Sequence, residues 1–183
     1  MAVKGSLDNA RVPVLGFIAS SGTGKTTLLS QVIAWLSTQG LRIGVIKQAR
    51  DDFDVDQPGK DSYRLRKAGV ERLLLASSQK SALVVEHPEG GEAELNALLA
   101  LFDQNTLDII LVEGFSEQPF PKIELSRGAT TLLRYPNDPL IIALATDRAG
   151  VERLGIPVLD LNDPVAVAEF VLAYVHGLID KRV

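Results

Sequence analysis

The sequence predicts an α/β fold, a mostly parallel sheet flanked by helices, with one β-hairpin protruding from it. Three observations carry that expectation. Short apolar runs rich in β-branched residues alternate with segments whose apolar residues recur at helical spacing. A glycine-rich loop ending in Lys25-Thr26 joins the first of those runs to the first helical segment. A later apolar run, residues 107–112, ends in an acid followed by glycine, Glu113-Gly114.

Residues 12–18 are almost continuously apolar, as a strand buried on both faces requires. Residues 26–39 place Leu28, Leu29, Val32, Ile33 and Leu36 along one helix face, and Gly40 marks the stop. Residues 41–47 supply the next strand and complete a βαβ unit. Residues 48–60 form a polar, acidic loop with Asp51, Asp52, Asp54 and Asp56. Asp61 or Ser62 is expected to cap a short helix reaching Ala68, and Gly69 ends it.

Residues 70–76 and 82–86, separated by the polar stretch 77–81, predict the hairpin. Residues 92–102 predict a helix with Leu95, Leu98, Leu99 and Phe102 inward, and 107–112 a buried strand. Within the irregular stretch 115–139, residues 122–125 read as a short strand. Residues 140–145 and 156–161 are further strands. Residues 164–179 form an amphipathic helix with Pro164 in its first turn and Asp163 or Asn162 as its cap. With 183 residues and no repeat or linker, the chain is expected to be a single domain, 1–183, with its hairpin excursion at about 70–86.

Composition narrows the chemistry. A hydrophobic content of 46% sustains a packed core, and the absence of cysteine excludes disulfide frameworks, Cys-ligated clusters and thiol nucleophiles. A net charge of −4 supplies no global field for nucleic acid, so an anion site must be made locally. No apolar run approaches the ~18 residues of a membrane span, and the N-terminus, with Lys4, Asp8 and Arg11, does not read as a signal peptide. A cytoplasmic protein with neither nucleic-acid nor membrane partners is expected.

Ala19-Ser20-Ser21-Gly22-Thr23-Gly24-Lys25-Thr26 matches the P-loop pattern, with Ala in place of its first glycine. Small residues let the backbone wrap so that its N–H groups converge on phosphate oxygens, and the following helix offers its positive end. Ser21, Gly22, Thr23 and Gly24 would line the phosphates while Lys25 reaches the β- and γ-phosphates. Thr26 would hold Mg²⁺, and Thr27 is an additional phosphate donor. The motif lies between a buried strand and a helix, the context its mechanism requires, so the domain is read as a P-loop NTPase.

The run ending at Glu113 has the form of a Walker B strand, whose acid holds Mg²⁺ directly or through water. Lys25 and Glu113 are the catalytic candidates, and Gly114 lets backbone approach a γ-phosphate. Asp54 and Asp56 follow the second strand, where α/β sheets collect ligand groups. Asp54 is a candidate for the metal shell, although a solvated loop would carry the same residues. The two histidines, His87 and His176, share no ligand spacing.

Three stretches carry a family resemblance: Ser21-Gly22-Thr23-Gly24-Lys25-Thr26-Thr27-Leu28-Leu29, the segment from Phe53-Asp54-Val55-Asp56 through Pro58-Gly59-Lys60-Asp61-Ser62-Tyr63 to Gly69, and Ile110-Leu111-Val112-Glu113-Gly114-Phe115. Together they resemble the molybdopterin-guanine dinucleotide biosynthesis protein B (MobB) family over most of residues 12–172. The resemblance implies a GTP-binding P-loop protein with weak GTPase activity. It also implies an accessory role beside a MobA-like guanylyltransferase that attaches GMP to molybdopterin, and a homodimer joined through the protruding hairpin. The family commonly has histidines after the lysine that closes the second strand, whereas here Lys47 precedes Gln48, Ala49 and Arg50, so no imidazole role is carried over.

Guanine-specific sites often end in Asn-Lys-x-Asp, and Leu144-Ala145-Thr146-Asp147 retains only the acid, making Asp147 the base-reading candidate. The preferred expectation is thus a Mg·GTP-binding accessory protein in molybdenum cofactor maturation. The alternative is a P-loop small-molecule kinase, with Arg64, Arg66, Lys67 and Arg72 as a phosphate-clamping lid. A third reading is a switch acting only through conformation.

Overall fold

The computed structural model describes residues 7–49, 53, 55–87, 90–91, 93–128, 133–151 and 155–177. The chain forms two compact units, Met1–Gln48 together with Glu94–Val183, and Ala49–Ala93. The elements run β1 (Val14–Ala19), α1 (Lys25–Thr38), β2 (Ile43–Lys47), α2 (Asp61–Lys67), β3 (Arg72–Ala76), β4 (Ser81–Val85) and α3 (Leu95–Leu99). They continue with β5 (Ile109–Glu113), β6 (Lys122–Ser126), β7 (Ile141–Thr146), β8 (Val158–Asp160) and α4 (Pro164–Val175).

In the first unit six strands make a parallel sheet in the order β2-β5-β1-β6-β7-β8. Apolar side chains leave its central strands on both faces. Ile109 and Leu111 pack with Leu28, Leu29, Val32 and Leu36 of α1 and with Val167 and Val171 of α4. Ile110 and Val112 pack on the other face with Leu95 and Leu99 of α3 and with Phe120. These four side chains of β5 are fully buried, which is why the strand up to Glu113 reads as an unbroken apolar run.

The helix ends follow local chemistry. At the close of α1, Leu41 N–H bonds to the Leu36 carbonyl and Gly40 N–H to that of Ser37, the paired bonds expected at a glycine stop. Asp163 is the cap of α4, its carboxylate accepting from Val165 and Ala166 N–H at 3.0 and 3.1 Å. The helix expected over 92–102 is shorter, Leu95–Leu99. Beyond it Ala100, Leu101 and Phe102 donate to carbonyls three residues back, so the end tightens into 3-10 geometry.

The second unit holds α2 and an antiparallel hairpin, β3 paired with β4, at the expected place. The expected cap is corrected here, because Lys60 occupies that position without a side-chain cap bond and Asp61 lies inside the first turn. An acid there still faces the positive helix end. Arg66, considered above for a phosphate-clamping lid, is buried and pairs with Asp56 at 3.3 Å and Glu86 at 2.9 Å. Asp56 is thereby engaged within this unit. Among the described residues no helix is long and apolar enough to cross a membrane.

Candidate functional site

β1 runs out at Ala19, and the chain turns through Ser20–Thr23 into α1. Thr23 Oγ1 donates to the Ser20 carbonyl at 2.8 Å and closes the turn, while Ser21 stays exposed. Gly24 at the helix cap has φ 93°, a left-handed conformation that an L side chain would strain. Among the described residues no side chain caps α1 and no acid occupies its first turn. The positive end of a 14-residue helix therefore faces the loop, where it favours an anion.

Parallel pairing places the acid. Lys47 of β2 and Glu113 of β5 share a register, so the two side chains emerge together from the carboxyl edge of the sheet. Glu113 Oε1 accepts a 2.9 Å hydrogen bond from Thr26 Oγ1. The same oxygen lies 3.6 Å from Lys25 Nζ and 3.4 Å from Lys47 Nζ. Glu113 is only 8% exposed, so this carboxylate is held by one hydroxyl and two ammonium groups in a partly desolvated position.

Of these residues, sequence reasoning singled out Lys25, Thr26 and Glu113 and placed Lys47 at the end of the second strand without a role in the site. The available signal was its place as the last residue of a strand, where open α/β sheets bring ligand groups.

Gly114 follows with φ 103°, and a Cβ there would lie 2.8 Å from Gln48 Cβ. Phe115 also has a positive φ, 53°, and its N–H donates to Gln48 Oε1 at 2.7 Å. Gln48 N–H bonds in turn to the Glu113 carbonyl. Gln48 therefore holds the turn after the acid, a role sequence reasoning missed.

At the other side of the loop, Ser126, Thr146 and Asp160 align across β6, β7 and β8. Arg127, Asp147 and Leu161-Asn162 thus leave the sheet as neighbours. Arg127 Nε donates to the Thr23 carbonyl at 3.2 Å, and its Nη1 reaches Asn162 Oδ1 at 3.2 Å and Asp147 Oδ2 at 3.5 Å. Asp147 Oδ1 accepts from Gly128 N–H at 2.8 Å.

A cleft of about 320 Å³ is lined by Gly22, Gly24, Thr27, Gln31, Arg127 and Asn162, among others. Asp147, in contact with the Arg127 that lines this cleft, lines an adjoining hollow of about 450 Å³ with Gly128, Arg148 and Ala149. Asp54, the remaining metal candidate, lies outside the described residues, as does Arg50.

A hydroxyl and a carboxylate in mutual contact are hard oxygen donors, the type Mg²⁺ takes from protein when phosphate oxygens and water complete its shell. Thr26 and Glu113 therefore fit a divalent cation, with Lys25 and Lys47 beside it for the anion the cation accompanies.

A glycine-wrapped loop between the central strand and an uncapped helix, with an acid from the neighbouring parallel strand against the loop's threonine, defines the P-loop NTPase fold. The family model for Molybdopterin guanine dinucleotide synthesis protein B matches residues 14–147, and the chain belongs to that family. It is 43% identical over 169 residues to the molybdopterin-guanine dinucleotide biosynthesis adapter protein of Escherichia coli (strain K12), covering 90% of this chain and 94% of that one. The corresponding adapter protein of Haemophilus influenzae is 36% identical over 169 residues, covering 92% of each chain. The fold matches the crystal structure of a MobB protein homolog from Bacillus stearothermophilus with a TM-score of 0.69, 22% identity, and coverage of 90% of this chain and 98% of that one.

Proposed function

We propose that this chain is a cytoplasmic adapter protein in molybdopterin-guanine dinucleotide biosynthesis that binds Mg·GTP and hydrolyses it slowly. In this reading it serves a MobA-like guanylyltransferase and acts as a homodimer joined through the β3–β4 hairpin. The adapter role rests on the family and on the names of its curated relatives. The single observation that carries nucleotide chemistry is the convergence of Thr26 Oγ1, Lys25 Nζ and Lys47 Nζ on one oxygen of Glu113 beside the phosphate loop.

Each residue then has a task. The backbone from Ser21 to Gly24 wraps the phosphates and Lys25 neutralises the β- and γ-oxygens. Thr26 and Glu113 hold Mg²⁺, which when bound neutralises phosphate charge. Thr27, on the cleft wall, donates to the α-phosphate side. Gly114 leaves room for backbone against the γ-phosphate, and Asp147 reads the guanine. Slow turnover is expected in this reading because the tasks assigned above bind phosphate, metal and base and none of them positions an attacking water.

The test is titration with GTP and ATP in the presence and absence of Mg²⁺, followed by steady-state GTPase with and without a molybdopterin guanylyltransferase. GTP preference, Mg²⁺ dependence, turnover well below the ~1–100 s⁻¹ of kinases and a raised yield of guanine dinucleotide cofactor are expected. Fast transfer of the γ-phosphoryl group to a small-molecule acceptor, or no effect on cofactor yield, would overturn the reading.

A further inference from the structure

The phosphate loop and the two strand ends beyond it are joined by one side chain, Arg127, which sequence reasoning did not single out. Its guanidinium spans three elements: the Thr23 carbonyl in the loop, Asp147 after β7 and Asn162 after β8. Arginine can only donate, so whatever it touches must turn an acceptor towards it. That constraint settles the orientation of Asn162. With Oδ1 on Arg127 Nη1, the Asn162 amide presents its Nδ2, a pure donor, away from the guanidinium. Asp147 is acceptor-only when ionised, and Gly128 N–H and Arg127 occupy one lone pair on each of its oxygens. One acceptor site remains on each.

We propose that Arg127 is the specificity-positioning residue of the nucleotide cleft, selecting guanine by fixing the hydrogen-bond polarity of Asp147 and Asn162. A carboxylate acceptor beside an amide donor is the complement of a six-membered purine edge that offers N–H groups at positions 1 and 2 and a carbonyl at position 6. Adenine presents the reverse, an acceptor at position 1 and an amine at position 6, and would oppose acceptor to acceptor and donor to donor. Through its Nε bond to Thr23, the same guanidinium sets the base end of the cleft at a constant distance from the loop that takes the phosphates. This inference rests on the proposed GTP site and deepens it.

The experiment measures dissociation constants for GTP, ITP, ATP and inorganic tripolyphosphate with wild type, Arg127→Gln, Arg127→Lys, Asn162→Ala and Asp147→Asn, each checked for a wild-type thermal transition. Arg127→Gln, whose amide can turn either way, should lower the GTP-to-ATP preference by about tenfold or more while changing tripolyphosphate affinity by less than about threefold. Arg127→Lys should fall between, since an ammonium cannot hold three acceptors in the plane of a fork. Asn162→Ala should lower GTP and ITP together relative to ATP, because both carry the position-6 carbonyl. Asp147→Asn should remove the preference for GTP over ITP, which lacks the position-2 amine.

A purely structural Arg127 would weaken all ligands alike and leave the ratios untouched, and that result overturns the proposal. If Arg127→Gln does not fold, unchanged ratios in Asn162→Ala overturn it in its place. If wild type shows no preference for GTP and Asp147→Asn changes nothing, the GTP reading itself has failed.

Discussion

Thr26 Oγ1 donates a 2.9 Å hydrogen bond to Glu113 Oε1, joining the first turn of α1 to the last residue of β5. The two residues are 87 positions apart, and only the pairing of β1 with β5 brings them together. The contact puts two hard oxygens where a divalent cation can take both.

Thr26→Ala and Glu113→Gln are therefore expected to act on the same ligand. Each should weaken Mg²⁺-dependent triphosphate binding by about tenfold or more while leaving metal-free binding nearly unchanged. Because the residues act through one cation, the double variant should lose less than the product of the single losses. Fluorescence titration of GTP against Mg²⁺ checks this, and identical Mg²⁺ curves for wild type and variants would remove the pair from the metal site.

The two lysines on Glu113 differ in exposure, Lys25 at 21% and Lys47 at 54%, so they should differ in effect. Lys25→Ala should cost about ten- to hundredfold in affinity for both GTP and GDP, the loss expected for a charge-assisted contact. Lys47→Gln should selectively reduce the preference for triphosphate over diphosphate, since this ammonium reaches the site from the strand end. Equilibrium dialysis with the two nucleotides separates the cases, and equal losses in both variants would mean that the lysines are equivalent.

Gly114→Ala should destabilise the first unit by about 1–3 kcal/mol, because alanine is strained at φ 103° and its Cβ meets Gln48 at 2.8 Å. Adding Gln48→Gly, which removes the Cβ that is met, should relieve the clash but leave the backbone cost, and Gln48→Gly alone measures the loss of the Phe115 hydrogen bond. Urea unfolding of these proteins beside wild type measures each part, and a Gly114→Ala variant as stable as wild type would show that the turn relaxes freely.

Arg42 and Asp108 clasp the entrances of β2 and β5 through a fork, Arg42 Nη2 to Oδ1 at 2.7 Å and Nε to Oδ2 at 3.0 Å. The side-chain hydrogen bonds from Arg42, with its backbone N–H, hold the Asp108 carboxyl down to about 2. A depressed carboxyl contributes stability that is present above its unfolded value and is lost as pH falls through the folded one. Stability should thus drop between about pH 4 and pH 2 in wild type, and less steeply in Asp108→Asn. Thermal melts across that window decide it; parallel curves would assign the acid sensitivity elsewhere.

Leu74 of β3 and Leu83 of β4 stand directly opposite one another and are 64% and 47% exposed. If the hairpin joins two copies of the chain, Leu74→Ser with Leu83→Ser should convert a dimer to a monomer in sedimentation while preserving GTP affinity per subunit. A wild-type monomer, or an unchanged dimer in the double variant, would defeat the hairpin interface.

The parallel core, the hairpin and the phosphate loop were legible in the chain because each is written in local chemistry. Apolar runs at 107–112 and 140–145 can bury both faces only inside a sheet, and Gly24-Lys25-Thr26 after a strand needs no distant partner to take its shape. Helix length was less legible at 92–102, where leucine spacing continues past the point at which the backbone tightens.

Lys47, Gln48, Arg127 and Asn162 were not legible as site residues. Their meaning comes from registers, Lys47 with Glu113 and Ser126 with Thr146 and Asp160, and a register is chosen by the packing of the whole sheet. A lysine at a strand end and an arginine before a glycine look like solvated charge in one dimension. Tertiary structure decides otherwise, because only the side-by-side ends of parallel strands bring charges so distant in sequence within hydrogen-bonding or ion-pair distance of a single carboxylate or a single carbonyl.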